Sequence, residues 1–274
     1  YKFSWSPMGV LTASQNSATF LRDGSVVSID GPELLNNADP IYSFPTMNLE
    51  CLANRDSLIY RELYGIEDAD SVFRGTLRFA GFSDLMYGVK TLGLLDDAPC
   101  AGGTWGEVLD ALLAEHGASS MRDFCEKKGI RAGGGKLEHL FGWLEMLDRS
   151  KGLEVADPSS IVKSLCALLE TRLTLEDGER DMVLMAHDIV GEFPGGKEEV
   201  WSSTMQLYGD ERFTAMGKTV GVTAAIGAEM VLDGWIKEKG VLTPMTKNIY
   251  EKGLELLEQE GLVFQESCTV VEKK

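Results

Sequence analysis

Between Phe73 and Phe79 apolar and polar residues alternate. Phe73, Leu77 and Phe79 share one parity, and Arg74, Thr76 and Arg78 the other, with Gly75 among the first set. Successive side chains on a strand point to opposite faces. The stretch therefore predicts a strand with one apolar face and one face carrying two guanidinium groups and a hydroxyl, beside a glycine that leaves the backbone open to a ligand. Beyond Asp84 the spacing changes. Trp105, Val108, Leu109, Leu112 and Leu113 fall at i, i+3, i+4, i+7 and i+8; Leu137, Leu140, Phe141, Leu144 and Leu147 repeat the theme, as do Ile161, Leu165, Leu168 and Leu169. That is the stripe of an amphipathic helix, and it predicts an all-helical insert over 84–173, large enough to form a lobe of its own. Thr104 with Glu107 is a capping box, and Asp157-Pro158 a cap ahead of a proline at the first helical position. Gly133-Gly134-Gly135 lacks the setting of a phosphate loop and predicts a flexible connection.

Ahead of the arginine strand, residues 10–21 look helical, Asp23-Gly24 marks a turn, and 26–29 a strand. Residues 32–45 predict a loop-rich crossing and 49–52 a short strand. Asn54-Arg55-Asp56-Ser57 predicts a turn whose Asp56 or Ser57 caps a helix through Tyr60 and Tyr64. After the helical insert, 182–190 and 198–208 flank Phe193-Pro194-Gly195-Gly196, a hairpin signature. His187 falls on its first strand, an ordinary half-exposed position. A helix at 214–232, rich in Gly and Ala, is built for close backbone approach. A helix at 246–259 and a strand at 262–271 follow.

Composition narrows the function classes. The 274 residues are 44% hydrophobic, enough for a full core in one or two domains. A formal charge of -17 repels nucleic acid and anionic lipid, so neither nucleic acid nor membrane is an expected partner. Clustered arginines in such a chain gain weight. Five scattered cysteines, Cys51, Cys100, Cys125, Cys166 and Cys268, show no C-x-x-C spacing and predict reduced thiols of an intracellular protein, cytoplasmic or mitochondrial. His116, His139 and His187 lie far apart, so no metal site is expected. No run of about 18 apolar residues is found to span a membrane. The first residue is not Met and sits in strand-like sequence, which suggests a portion of something longer. Neither a G-x-G-x-x-G nor a Walker loop is present, the Gly217-Lys218-Thr219 triplet lacking its upstream glycine.

A guanidinium presents paired donors that match a carboxylate, so Arg74 and Arg78 around Thr76 suit a small molecule bearing several carboxylates. The same pattern is also what a solvated strand face with cross-strand ion pairs presents.

Tyr1-Lys2-Phe3-Ser4-Trp5-Ser6-Pro7, Asn54-Arg55-Asp56-Ser57, Arg74-Gly75-Thr76-Leu77-Arg78-Phe79 and Lys218-Thr219-Val220-Gly221 together resemble the glutamate-forming saccharopine dehydrogenases, in order and over the whole length. These lysine-pathway enzymes are often fused behind a lysine-ketoglutarate reductase. The resemblance implies an α+β (α/β) fold: a mixed-sheet substrate domain like the second domain of glyceraldehyde-3-phosphate dehydrogenase over 1–83 and 174–213, the helical insert at 84–173, and a segment at 214–274 that returns to a Rossmann domain absent from this chain. It implies Arg55, Thr76, Leu77 and Arg78 as contacts to saccharopine, with Trp5 as an aromatic wall, Trp5 being equally suited to a core. It implies oxidation of saccharopine with NAD or NADP, held by the missing domain, to glutamate and 2-aminoadipate 6-semialdehyde, with a homodimer among the allowed assemblies and no general base within this chain. Ala53 stands where the family has proline, and Gly217 where it has alanine. A dehydrogenase for carboxylated polyamines, or a non-catalytic interaction module, would fit the same architecture.

Overall fold

The computed structural model describes residues 2–272 and divides them into two compact units. Ser6–Thr174 make the first; Leu175 onward, with Lys2–Trp5, make the second.

The first unit opens with helix α1 (Pro7–Ala13), capped by the Ser6 hydroxyl, and a hairpin of β1 (Ala18–Arg22) and β2 (Ser25–Ile29). The helix expected over 10–21 thus stops at Ala13. Ala18, Phe20 and Leu21 are buried in the strand that follows, paired with β2 through the left-handed Asp23-Gly24 turn. The loop-rich crossing holds a 3₁₀ turn, Gly31–Asn36, and β3 (Asp39–Ile41). Then come β4 (Leu49–Ala53), the short helix α2 (Ile59–Tyr64) and β5 (Gly75–Phe79). The sheet expected to be mixed is built here as small antiparallel ladders. β1 and β2 form one antiparallel ladder and β3, β4 and β5 another, and among the described residues the one parallel bridge joins Thr19 to Asp56.

Helix α3 (Phe82–Thr91) leads from the sheets into the helical segment of α4 (Trp105–Glu115), α5 (Met121–Lys128), α6 (Gly133–Trp143) and α7 (Ile161–Arg172). Its first turns touch the small core of Phe20, Leu35 and Leu52 through Phe82 and Met86, while Val89 and Leu92 enter the larger core around Trp105, Phe124 and Phe141. Trp105, Phe124 and Phe141 are fully buried, and the expected Thr104–Glu107 capping box starts α4. Two local expectations change. Gly133 to Gly135 form the first turn of α6, where a Cβ on Gly134 would lie 2.5 Å from the Arg122 Cα, so glycine permits close packing of α5 on α6. Ser160, not Asp157, caps α7.

The second unit is a three-stranded antiparallel sheet, β6 (Met182–Phe193), β7 (Lys197–Tyr208) and β8 (Gln265–Glu272), with α8 (Ala215–Leu232) and α9 (Lys247–Gln259). The hairpin is as expected. The Asp181 carboxylate accepts from the Ala215 and Met216 amides at 2.6 and 2.9 Å, placing negative charge at the positive end of α8. Helix α8 buries Ala215, Ile226 and Met230 but exposes Val220, Val231 and Leu232. A Cβ added at Gly221 or Gly227 would meet nothing within 4 Å, so among the described residues these glycines are not required by a close neighbour; α8 packs on α9 through Ile226, Met230 and Ile249. The absence of a membrane-length segment also needs correcting: α8 has 18 residues at mean hydropathy 1.2, sufficient by length and composition, with Lys218 and Glu229 inside it.

Candidate functional site

The arginine strand is held by β4. Ala53 pairs with Gly75, Leu52 with Thr76, Cys51 with Leu77 and Glu50 with Arg78. At the Gly75 end the chain leaves β4 through a tightly held turn. The Asn54 amide donates to the Arg74 carbonyl (2.9 Å) and its side-chain amide to the Thr76 hydroxyl (3.1 Å). Thr19 donates to the Arg55 carbonyl and accepts from the Ser57 amide, each at 2.8 Å. The buried Ser57 hydroxyl accepts from the Arg74 amide, and Asp56 accepts from Leu58. Neither Asp56 nor Ser57 therefore caps α2, whose N-cap position is Leu58.

Arg55 sits at φ 54°, in the left-handed region where a side chain costs of order 1–3 kcal/mol. The surrounding hydrogen bonds over-determine that conformation. Accordingly Arg55→Gly is expected to be about 1 kcal/mol more stable than Arg55→Ala by denaturant titration, because glycine adopts this φ freely. Equal stabilities would show that the backbone there is unstrained.

Arg78 stands at the other end of the ladder, half-buried. Its guanidinium lies 5.1 Å from the Phe82 ring centre, Nη1 donates to the Leu77 carbonyl at 3.1 Å, and Nε is buried without a partner. Arg22, Arg131, Arg149 and Arg172 form ion pairs; among the described residues Arg55, Arg74 and Arg78 form none. Arg74 instead donates to the Tyr60 hydroxyl at 2.9 Å. Arg55 lies two residues beyond the Ala53–Gly75 end of the ladder, and Arg78 pairs with Glu50 toward its other end. A ligand engaging both must be extended.

The two faces are used differently from what alternation alone suggests. The Thr76 and Arg78 side shares its parity with the buried Leu52, Thr76 is held by Asn54, and Arg78 lies over Phe82. Phe73 and Phe79, expected on the covered side, are 45% and 57% exposed. Gly75 is exposed, but a side chain there has no space: a Cβ would fall 2.1 Å from the Cys51 sulfur and 2.8 Å from the Phe73 ring. Burial pushes the Cys51 thiol up to about 11, reinforced by the charge of Asp39 and opposed by a hydrogen bond from Thr76, so it stays protonated at neutral pH. A cleft of roughly 440 Å³ lies on this sulfur-bearing side, between Phe20, Arg22, Asp30, Glu33, Cys51 and Phe73. None of the expected substrate residues lines it.

Trp5 is 44% exposed and belongs to the second unit, whereas Arg55, Thr76, Leu77 and Arg78 belong to the first. His187 is exposed against Phe264, and no metal-holding cluster occurs among the described residues. Asn54 and Glu50 are the residues that spacing missed. A signal existed for the second: Glu50 is the one charge in Leu49-Glu50-Cys51-Leu52-Ala53, an otherwise buried strand.

Small antiparallel sheets backed by a helical cluster define the class: an α/β domain of small sheets and helices. Residues 1–262 match the model of the saccharopine dehydrogenase C-terminal domain. The chain belongs to that family. It is 36% identical over 280 residues to the mitochondrial alpha-aminoadipic semialdehyde synthase of Mus musculus, covering 98% of this chain and 30% of that protein. It is 33% identical over 288 residues to the saccharopine dehydrogenase [NADP(+), L-glutamate-forming] of Schizosaccharomyces pombe, covering 97% of this chain and 61% of that one. The solved apo saccharopine dehydrogenase (L-Glu forming) of Saccharomyces cerevisiae superposes with a TM-score of 0.85 at 31% identity, over 98% of this chain and 62% of that one. The chain thus spans less than two thirds of the length of each.

Proposed function

We propose that this chain is the substrate-binding portion of a saccharopine dehydrogenase, in a polypeptide that oxidises saccharopine to L-glutamate and 2-aminoadipate 6-semialdehyde in lysine metabolism, in the cytoplasm or mitochondrial matrix. The observation that carries the reading is the whole-chain superposition on a solved enzyme of that activity. In this reading Arg55 and Arg78 grip carboxylates at two ends of an extended substrate, Thr76 and the Leu77 main chain add hydrogen bonds between them, and Trp5 has no assigned part. Saccharopine, with three carboxylates on a long aliphatic spine, has the required reach. Such holding removes orientational freedom before reaction and lowers the barrier without bond-making by these residues.

A nicotinamide dinucleotide, NADP by the names of the yeast relatives or NAD, would supply the oxidant. The residues present do not fit it, since the sequence has no strand–turn–helix glycine fingerprint. The reading therefore places the cofactor in the portion of the relatives that lies outside this match, with 1–83 and 174–213 as substrate domain, 84–173 as insert, and 214–274 docking back through α8. A substrate domain like the second domain of glyceraldehyde-3-phosphate dehydrogenase, and a homodimer, belong to the same proposal. Calorimetric titration of the full-length polypeptide with saccharopine and with a carboxylated polyamine is the test. Saccharopine is expected to bind and the polyamine not; no heat with saccharopine removes the reading.

A further inference from the structure

We infer that Glu50 is a positioning residue for substrate, acting through Phe82 and Arg78. The inference rests on Arg78 being a carboxylate-binding group. Glu50 is the direct cross-strand neighbour of Arg78, and opposite charges so placed ordinarily pair. Here they do not. The Glu50 carboxylate is committed elsewhere: Oε2 accepts from the Gly81 amide at 2.9 Å and Oε1 from the Ser83 amide at 2.7 Å.

Those two amides open α3, so the carboxylate neutralises the positive end of that helix and satisfies donors that would otherwise lack partners. It also fixes the corner by which the chain leaves β5. Only Ala80 and Gly81 separate the strand from the helix, and Gly81 turns at φ 95°. Phe82, flanked by the two clamped amides, is thereby set beneath the Arg78 guanidinium. One side chain does two things for the site: it withholds its own charge from Arg78, and it builds the aromatic platform that orients the fork. An arginine whose cross-strand glutamate is committed elsewhere, and which has no counter-ion among the described residues, is a fork kept open for an external carboxylate.

The test is a double-mutant cycle in the full-length enzyme, reading the saccharopine KM and kcat together with thermal stability. Glu50→Gln keeps the shape but can accept from only one of the two amides, and is expected to raise KM about three- to tenfold with kcat nearly unchanged; in an Arg78→Ala background it adds less than about twofold. Phe82→Leu, which leaves the clamp intact, is expected to behave in the same non-additive way and serves if Glu50→Gln does not fold. A KM rise that is multiplicative with Arg78→Ala, or a loss of stability with KM unchanged, overturns the inference while leaving the proposed function standing. An unchanged KM in Arg78→Ala alone overturns both.

Discussion

Substituting Gly75 with alanine is expected to destabilise the first unit by about 1–3 kcal/mol, the range for overpacking a filled interior. The added carbon would sit 2.1 Å from the Cys51 sulfur. No real contact is that short, so something must move. Cys51 is 5% exposed and borders the cleft beside Phe73, so its sulfur can give way only toward that space. Phe73, at 45% exposure, can swing outward, at the cost of its edge-to-face contact with Phe20 at 5.2 Å between ring centres. Cys51→Ala removes the obstructing atom and is expected to recover most of the loss. The double mutant should then be more stable than the sum of the single changes predicts, a coupling that denaturant titration of the four variants measures. Strictly additive effects would show that sulfur and glycine do not share the space.

Arg78→Ala in the full-length enzyme is expected to raise the saccharopine KM at least tenfold, about 1.4 kcal/mol, with a smaller change in kcat. Arg78→Lys should restore part of it at most, because an ammonium is a point charge and cannot present two parallel donors. Folding stability should hardly change. The lost stacking on Phe82 is worth about 0.5–1 kcal/mol and is offset by removing a buried Nε donor that has no partner. That separation makes the measurement decisive: a shifted melting temperature with an unshifted KM would make Arg78 a packing residue and remove the carboxylate fork.

Periodicity was a good guide where one face is buried and the other wet. Trp105 to Leu113 followed from it directly, while the hairpin of β6 and β7 was announced by its Phe193-Pro194-Gly195-Gly196 turn. It misled where two residue types serve different neighbours. Val10 and Leu11 continue into Ala18, Phe20 and Leu21 with plausible helical spacing, but the pairing of β1 with β2 is a tertiary fact that local pattern does not carry. Three consecutive glycines suggest slack, yet Gly134 is there for the nearness of Arg122. At the site, alternation located the arginines and the hydroxyl but gave no sign that the Cys51 sulfur takes the space a side chain at Gly75 would need. The commitments of Asn54 to Thr76 and of Glu50 to the start of α3 cross 22 and 33 residues of sequence and left no periodic trace.

Of the five tryptophans, Trp105 is 1% exposed while Trp5, Trp143, Trp201 and Trp235 lie between 44% and 53%. One indole is thus held in a dry setting at the centre of the helical lobe and four are half-covered. The largest red shift on melting is expected from Trp105, so emission weights the Ser6–Thr174 unit over the sheet of β6 to β8, where Trp201 is already half wet.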